Sequence, residues 1–205
     1  MAPKIVDKVE KEYNLVRAAT EVFRRQGFAA ATMDAIAAEA GVAKGTLYLY
    51  FDDKEDLFFA VFDAFFESIL EKAEHAMADD MDAEARLRAL YAVWASVLKN
   101  HGDYASLMLE FWAAGATGGS ADHLSQVFRA VYGEHRAFVA DIIRLGQENG
   151  QFDPALDAEA LAAVTIGGID GLWLQVWFDP DLDAKTILEA HLEGALQGWR
   201  LVSQS

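Results

Sequence analysis

Cysteine is absent from all 205 residues. That excludes structural disulfides and thiolate metal sites, and it fits a reducing compartment. Proline is nearly as scarce. Pro3 is terminal, and Pro154 and Pro180 each follow an aspartate at a break between long helical stretches. The first fourteen residues are dense in charge and have no apolar run, so no secretory signal is expected. No stretch is apolar throughout at membrane-spanning length. The nearest, Ala160 to Phe178, carries Asp170, Gln175 and several glycines, and reads as the buried helix of a soluble protein. Sustained strand alternation, internal repeats and low-complexity tracts are missing too.

What is present is material for a helical core. Hydrophobic residues make up 53% and charged residues 24%. Apolar residues recur at helical spacing nearly everywhere, so the fold class expected is all-α. The formal charge is −16, an awkward value for a nucleic-acid partner. Its distribution softens the objection. Residues 1–55 hold 8 Lys/Arg and 9 Asp/Glu, whereas residues 56–205 hold 9 and 24. The acidity sits in the second part, and the basic groups of the first must be well placed rather than numerous.

The spacing predicts a first helix from about Glu10 to Gln26, with Leu15, Ala18, Ala19, Val22 and Phe23 on one stripe. Gly27 is expected in the left-handed C′ position of a Schellman ending, with Phe28 packing on Phe23. Thr32 is the expected N-cap of a short helix over Met33 to Ala40, which Gly41 ends. A third helix follows from Ala43 to about Phe51. Asp53 then caps a fourth that runs to about Met77. Further helices are expected near 83–99, 103–114, 121–149, 157–178 and 183–202. The connecting loops fall at Gly115 to Ser120, Gly150 to Pro154 and Asp179 to Asp183.

Two short helices around a tight glycine turn are what a helix-turn-helix requires. Ala37, four residues before Gly41, is small enough for close helix approach. Ile36, Ala40, Val42, Leu47 and Tyr50 occupy the packing positions. The run Thr32-Met33-Asp34-Ala35-Ile36-Ala37, then Ala40-Gly41-Val42, then Lys44-Gly45-Thr46-Leu47-Tyr48-Leu49-Tyr50-Phe51, then Lys54-Glu55-Asp56-Leu57-Phe58, resembles the TetR (tetracycline repressor-like) family. The match spans about residues 10–62. Beyond it, only length and helical pattern are similar.

The resemblance implies a helix-turn-helix DNA-binding domain over 1–55 and a ligand-sensing and dimerisation domain over 56–205. It implies a homodimer, palindromic double-stranded operator DNA, a small-molecule effector and a cytoplasmic location. The third helix would enter the major groove, with Lys44, Gly45 and Thr46 nearest the base edges. Tyr48 and Leu49 would reach bases, sugar or a thymine methyl, and Tyr50 a phosphate. Lys54 and Thr32, each at a helix start, would meet phosphates. The plainer readings are a cap for Thr32, core for Tyr50 and solvated lysines for Lys44 and Lys54.

The fourth helix is apolar around most of its circumference and is expected to be covered on several sides. Candidate pocket residues are Phe62, Phe66, Trp94, Met108, Phe111, Trp112 and Trp173, each of which is also a natural core residue. Glu110, inside the apolar run 107–112, must be exposed, paired or facing a cavity. Gly167, Gly168 and Gly171 lie where a neighbouring backbone is expected to come close. With Leu172, Leu188 and Ala195 they form the expected dimer interface. Ligand and DNA would each select one spacing of the two heads, with repression relieved by ligand as the common mode.

Enzyme motifs are missing: HExxH, G-x-S-x-G and a P-loop are all absent. The glycine-rich 115–120 segment lacks the lysine a P-loop needs. His75, His101, His123, His135 and His191 form no ligand spacing on one helix face. Neither catalysis nor a cofactor is expected. The remaining alternative is a protein-interaction module that keeps the head without operator binding.

Overall fold

The structure, a computed structural model, describes residues 3–99, 102–117 and 121–200, with side chains over 8–99, 106–113 and 125–200. Among the described residues there are nine helices: α1 (Pro3–Ala30), α2 (Met33–Glu39), α3 (Lys44–Leu47), α4 (Lys54–His75), α5 (Ala83–Lys99), α6 (Gly102–Thr117), α7 (Ala121–Glu148), α8 (Ala158–Phe178) and α9 (Ala184–Trp199). No extended strand occurs among them; Phe152 and Arg200 share one isolated bridge. The expected all-α fold is therefore the one observed. The expected loop at 115–120 is helical through Thr117, and its remainder lies outside the described residues.

The chain forms two compact units. The first comprises residues 1–67 with 103–127, and the second residues 68–102 with 128–205. The first unit thus reaches past residue 55 to take in most of α4 and α6 from Asp103 onward.

In the first unit, α1 buries Leu15, Ala18, Ala19, Val22 and Phe23, the stripe its spacing predicts. Its C-terminal end differs from expectation. Gly27 has φ 74° and ψ 163°, which is extended in ψ rather than left-handed helical. The Phe28 N–H, which a Schellman ending would direct to the Phe23 carbonyl, donates to the Glu110 carboxylate at 2.7 Å. The chain kinks and makes one more turn, closed by Ala31 N–H on the Gly27 carbonyl at 3.2 Å. Phe28 still reaches Phe23, with ring centroids 5.9 Å apart.

The Schellman motif sits one helix later. Val42 N–H donates to the Ala37 carbonyl at 3.0 Å and Gly41 N–H to that of Ala38 at 3.2 Å, with Gly41 at φ 68°. The same pair of bonds ends α7, where Gln151 and Gly150 donate to Gly146 and Gln147 and Gly150 has φ 73°.

In the second unit, α5 packs on α9, and Leu87, Leu90, Tyr91, Trp94 and Leu98 of the one and Leu188, Leu192, Leu196 and Trp199 of the other are buried. Asp157 and Asp183 cap α8 and α9 through their carboxylates. Phe152 is fully buried, seated over Gly146, where a Cβ would stand 2.1 Å from its ring. One ion-pair chain lies on the surface: Arg88 joins Glu84 and Glu193, and Arg200 also reaches Glu84 at 2.8 Å.

Candidate nucleic-acid interface

The local sequence sets the geometry of α2 and α3. Thr32, in extended conformation, accepts Ala35 N–H on its hydroxyl oxygen at 3.1 Å. The side chain is exposed, so its hydroxyl hydrogen is left for an outside acceptor. Ile36, Ala37 and Leu47 are buried between α1, α2 and α3. The third helix is shorter than expected, since regular turns cover only Lys44–Leu47. Leu49 and Tyr50 follow in tighter i→i+3 bonds to Thr46 and Leu47, at 3.2 and 3.1 Å.

That tightening aims the side chains. Leu47 and Phe51 turn inward and are buried. Tyr48 and Leu49 turn outward, 44% and 79% exposed. Gly45 is exposed, with no atom within 4 Å of where a Cβ would stand. Tyr50 is half-buried. Thr46 is also half-buried and lines a groove against α1. Lys44 is exposed, its ammonium 2.9 Å from the Asp34 carboxylate, a hydrogen bond that raises the lysine pKa above its ordinary value.

Lys54 departs from the phosphate role expected of it. Its ammonium donates to the carbonyls of Phe28, Ala29 and Ala31 at 2.6, 3.3 and 2.9 Å, so all three donors are engaged. It also lies 4.4 Å from the Phe28 ring centroid. Carboxylates already stand at the first turn of α4. Asp53 accepts Asp56 N–H at 2.8 Å and Asp56 accepts Asp52 N–H at 3.2 Å. Lys54 closes the orphan carbonyls that the kink at Gly27 exposes.

Glu110 completes the same device. Its carboxylate accepts Phe28 N–H at 2.7 Å. Of the three fates open to it, it is paired. The Phe28 backbone is thus held at N–H by α6 and at C=O by α4. Five more candidate pocket residues lie in the same unit. Phe58 stacks on Phe111 at 3.8 Å, Phe62 lies 4.3 Å from Phe111 and 4.7 Å from Phe66. Phe62, Phe66, Met108 and Phe111 are all buried, and Trp112 is half-buried. The rings of Phe58, Phe62, Phe66 and Phe111 form one buried aromatic cluster in the first unit.

The other two candidates belong to the second unit. Trp94 and Trp173 are buried there. The Trp94 indole N–H has no hydrogen-bond partner among the described residues, and the ring lies 6.3 Å from that of His135. Asp170 was visible in the sequence only as an odd charge in an apolar helix. Burial pushes its carboxyl up to about 6, against a hydrogen bond from Tyr132.

The expected interface residues divide by exposure. Gly167, Gly168 and Gly171 face outward on α8, where an added Cβ would meet nothing within 4 Å. Among the described residues no backbone atom comes within 4 Å of those positions. Leu172 and Leu188 are buried in the chain's own core and cannot themselves form an interface; Ala195 is half-buried. Three residues missed by the sequence reading extend the outward face of α8: Val164 at 69%, Leu174 at 37% and Phe178 at 74% exposed. Their 3.6-residue spacing from the glycines was the signal. On α9, Ala190, Gly194 and Gly198 are exposed in the same way. One described helix, Ala158–Phe178, is long and apolar enough to cross a membrane, and a third of its most apolar stretch is buried.

A short helix ending in a Schellman glycine, followed by a turn that presents tyrosine and leucine outward, defines the class: a helix-turn-helix DNA-binding regulator. Residues 15–61 match the family described as bacterial regulatory proteins, tetR family. Residues 83–197 match the C-terminal region of BetI-type transcriptional repressors. The chain belongs to the TetR family of transcription regulators, a family of regulators rather than enzymes. It is 28% identical over 185 residues to the uncharacterised helix-turn-helix regulator YhgD of Bacillus subtilis, covering 87% of this chain and 91% of that one. It is 26% identical over 164 residues to the fatty acid metabolism regulator protein of the same organism, covering 80% and 81%. Among solved structures, the fatty acid degradation regulator FadR of Bacillus halodurans matches with a TM-score of 0.76 and 25% identity, covering 92% of this chain and 95% of that one.

Proposed function

We propose that the chain is a cytoplasmic homodimeric repressor that reads a palindromic operator and leaves it when a small-molecule effector binds. One observation carries the DNA-reading part. Tyr48 and Leu49, the large side chains following α3, are exposed while Leu47 and Phe51 of the same turn are buried. An uncovered leucine beside a tyrosine at that place suits a thymine methyl and a sugar edge. Gly45 and Thr32 leave room and a hydroxyl donor on either side.

The dimer reading rests on the outward face of α8. Glycines flanked by Val164, Leu174 and Phe178 make an apolar surface that a second copy can approach to backbone distance. A two-fold dimer would set the recognition turns about 34–36 Å apart, one helical turn of DNA. Covering that face with a partner subunit also accounts for an apolar α8 in a chain whose net charge is −16. The repressor sense follows the BetI-type match. Two relatives bear names of fatty acid metabolism or degradation, which makes a fatty acyl compound the first effector to test.

The test is selection from a random-sequence duplex library, then anisotropy titration of the selected duplex with and without palmitoyl-CoA. Light scattering gives the molecular mass. Selection of an inverted repeat by a 45 kDa species is expected (about twice the 22.5 kDa chain), with weaker binding when the acyl compound is present. A monomer that selects no sequence would sink the reading. Dimeric binding indifferent to acyl compounds would remove the effector class alone.

A further inference from the structure

A groove of about 400 Å³ runs between α1 and the α2–α3 turn, lined among others by Lys11, Asn14, Arg17, Glu21, Glu39 and Thr46. Operator binding needs cations on phosphates, since most protein–DNA hydrogen bonds go to the backbone. The two lysines nearest the recognition turn are already engaged. Lys44 sits on Asp34, and Lys54 donates to three carbonyls. The cation for the backbone must come from elsewhere in the head.

The groove supplies one. Each of its two carboxylates is covered by its own arginine: Arg24 lies 3.0 Å from Glu21, and Arg25 lies 3.0 Å from Glu39. Asn14 and Arg17 are three residues apart on α1, so they share one helix face. Both are exposed. Arg17 makes no ion pair and no hydrogen bond among the described residues. Thr46, across the groove, belongs to the helix whose next residues present Tyr48 and Leu49 outward. A duplex docked on that turn therefore brings its sugar–phosphate strand past Thr46 and toward α1.

We infer that Arg17, with Asn14 and Thr46 beside it, clamps a phosphodiester of the operator backbone, making the outer face of α1 a second DNA contact flanking the recognition turn. The inference rests on the DNA-binding reading above. The guanidinium fork offers paired N–H donors to two phosphate oxygens, while the asparagine amide and the threonine hydroxyl are neutral donors. Such a contact carries no sequence information. It fixes the register of α3 against the bases, which makes Arg17 a positioning residue.

The experiment is a salt series on wild type, Arg17→Gln, Arg17→Lys and a distant control, Arg144→Gln. The probes are the duplex selected by wild type and a scrambled duplex of the same length. Circular dichroism melts check that each variant folds. Loss of one phosphate contact flattens the slope of log K against log salt by about 0.9. The proposed dimer carries two copies of Arg17, so Arg17→Gln removes two such contacts and flattens the slope by about 1.8, and the wild-type to Arg17→Gln affinity ratio should be about 12-fold larger at 50 mM than at 200 mM salt, on both duplexes alike. Arg17→Lys should keep the wild-type slope, and so should Arg144→Gln. Wild-type binding with an unchanged slope in Arg17→Gln would overturn the clamp and leave the regulator reading standing. So would Arg17-dependent capture of inorganic phosphate alone with no effect on DNA. No selection of any duplex by wild type would overturn both.

Discussion

Gly27→Ala is expected to destabilise the first unit for two separable reasons. At φ 74° and ψ 163°, Gly27 occupies a region open essentially to glycine alone, and holding another residue there costs about 1–3 kcal/mol. A Cβ would also stand 3.0 Å from the Glu110 carboxylate oxygen Oε1. The carboxylate must yield, and it is the acceptor for Phe28 N–H at 2.7 Å. A hydrogen bond to a charged group contributes about 1.5–3 kcal/mol. Losing part of it brings the total to about 2–5 kcal/mol. Glu110→Ala alone should cost about 1.5–3 kcal/mol by the same bond. In the double variant the crowding is gone, because the group to be displaced is absent. The double variant should therefore be more stable than the sum of the single losses implies, by about 1 kcal/mol or more. Urea unfolding followed by circular dichroism and tryptophan emission measures all four corners. A Gly27→Ala protein within about 0.5 kcal/mol of wild type would refute the backbone argument. Strict additivity would refute the link to Glu110.

Three further outcomes follow from particular contacts. Lys54→Met keeps the aliphatic stem but leaves the carbonyls of Phe28, Ala29 and Ala31 without their ammonium, so a loss of about 1.5–3 kcal/mol is expected in the same urea assay; an unchanged midpoint would mean that water replaces the ammonium at no cost. Gly146→Ala places a methyl 2.1 Å from the buried Phe152 ring and must expel it, costing about 3 kcal/mol or more, and pairing it with Phe152→Ala should recover part of that loss. Asp170 binds its proton more tightly when folded, because burial lifts its pKa from 3.8 to about 6. Between those values the native state holds more protons than the unfolded one, so this group's contribution falls as pH rises and is at its worst above pH 6. Asp170→Asn should remove that slope and stabilise the protein at pH 8 by up to about 3 kcal/mol, with little gain at pH 4; equal effects at both pH values would show that the carboxylate charge is not what burial penalises.

The helices and the head were legible in the sequence because they rest on short-range rules. The stripe Leu15 to Phe23, the Thr32 and Asp53 caps, and the turn at Gly41 each rest on residues within four or five positions of one another. Backbone sterics and hydrogen-bond satisfaction decide them locally. Gly27 marks the limit. Its sequence context fits a Schellman ending as well as Gly41 does, but its ψ is set by Glu110, 83 residues further on, together with Lys54.

Charge roles were the least legible, since a side chain's availability depends on what long-range folding brings to it. Lys54 looks like a phosphate ligand by position, yet three carbonyls at a kink take its donors. Arg17 looks like any solvated helix charge until Arg24 and Arg25 are seen covering the carboxylates around it. Likewise the glycines of α8 announced a close approach, and only the tertiary structure decided that none of the described residues makes it. Leu172 and Leu188 share helices with exposed residues but face the other way, a distinction of 100° per residue that the core resolves. Sequence alone determined where helices start, stop and turn; which groups remain free to meet a partner was decided by contacts between residues far apart in the chain.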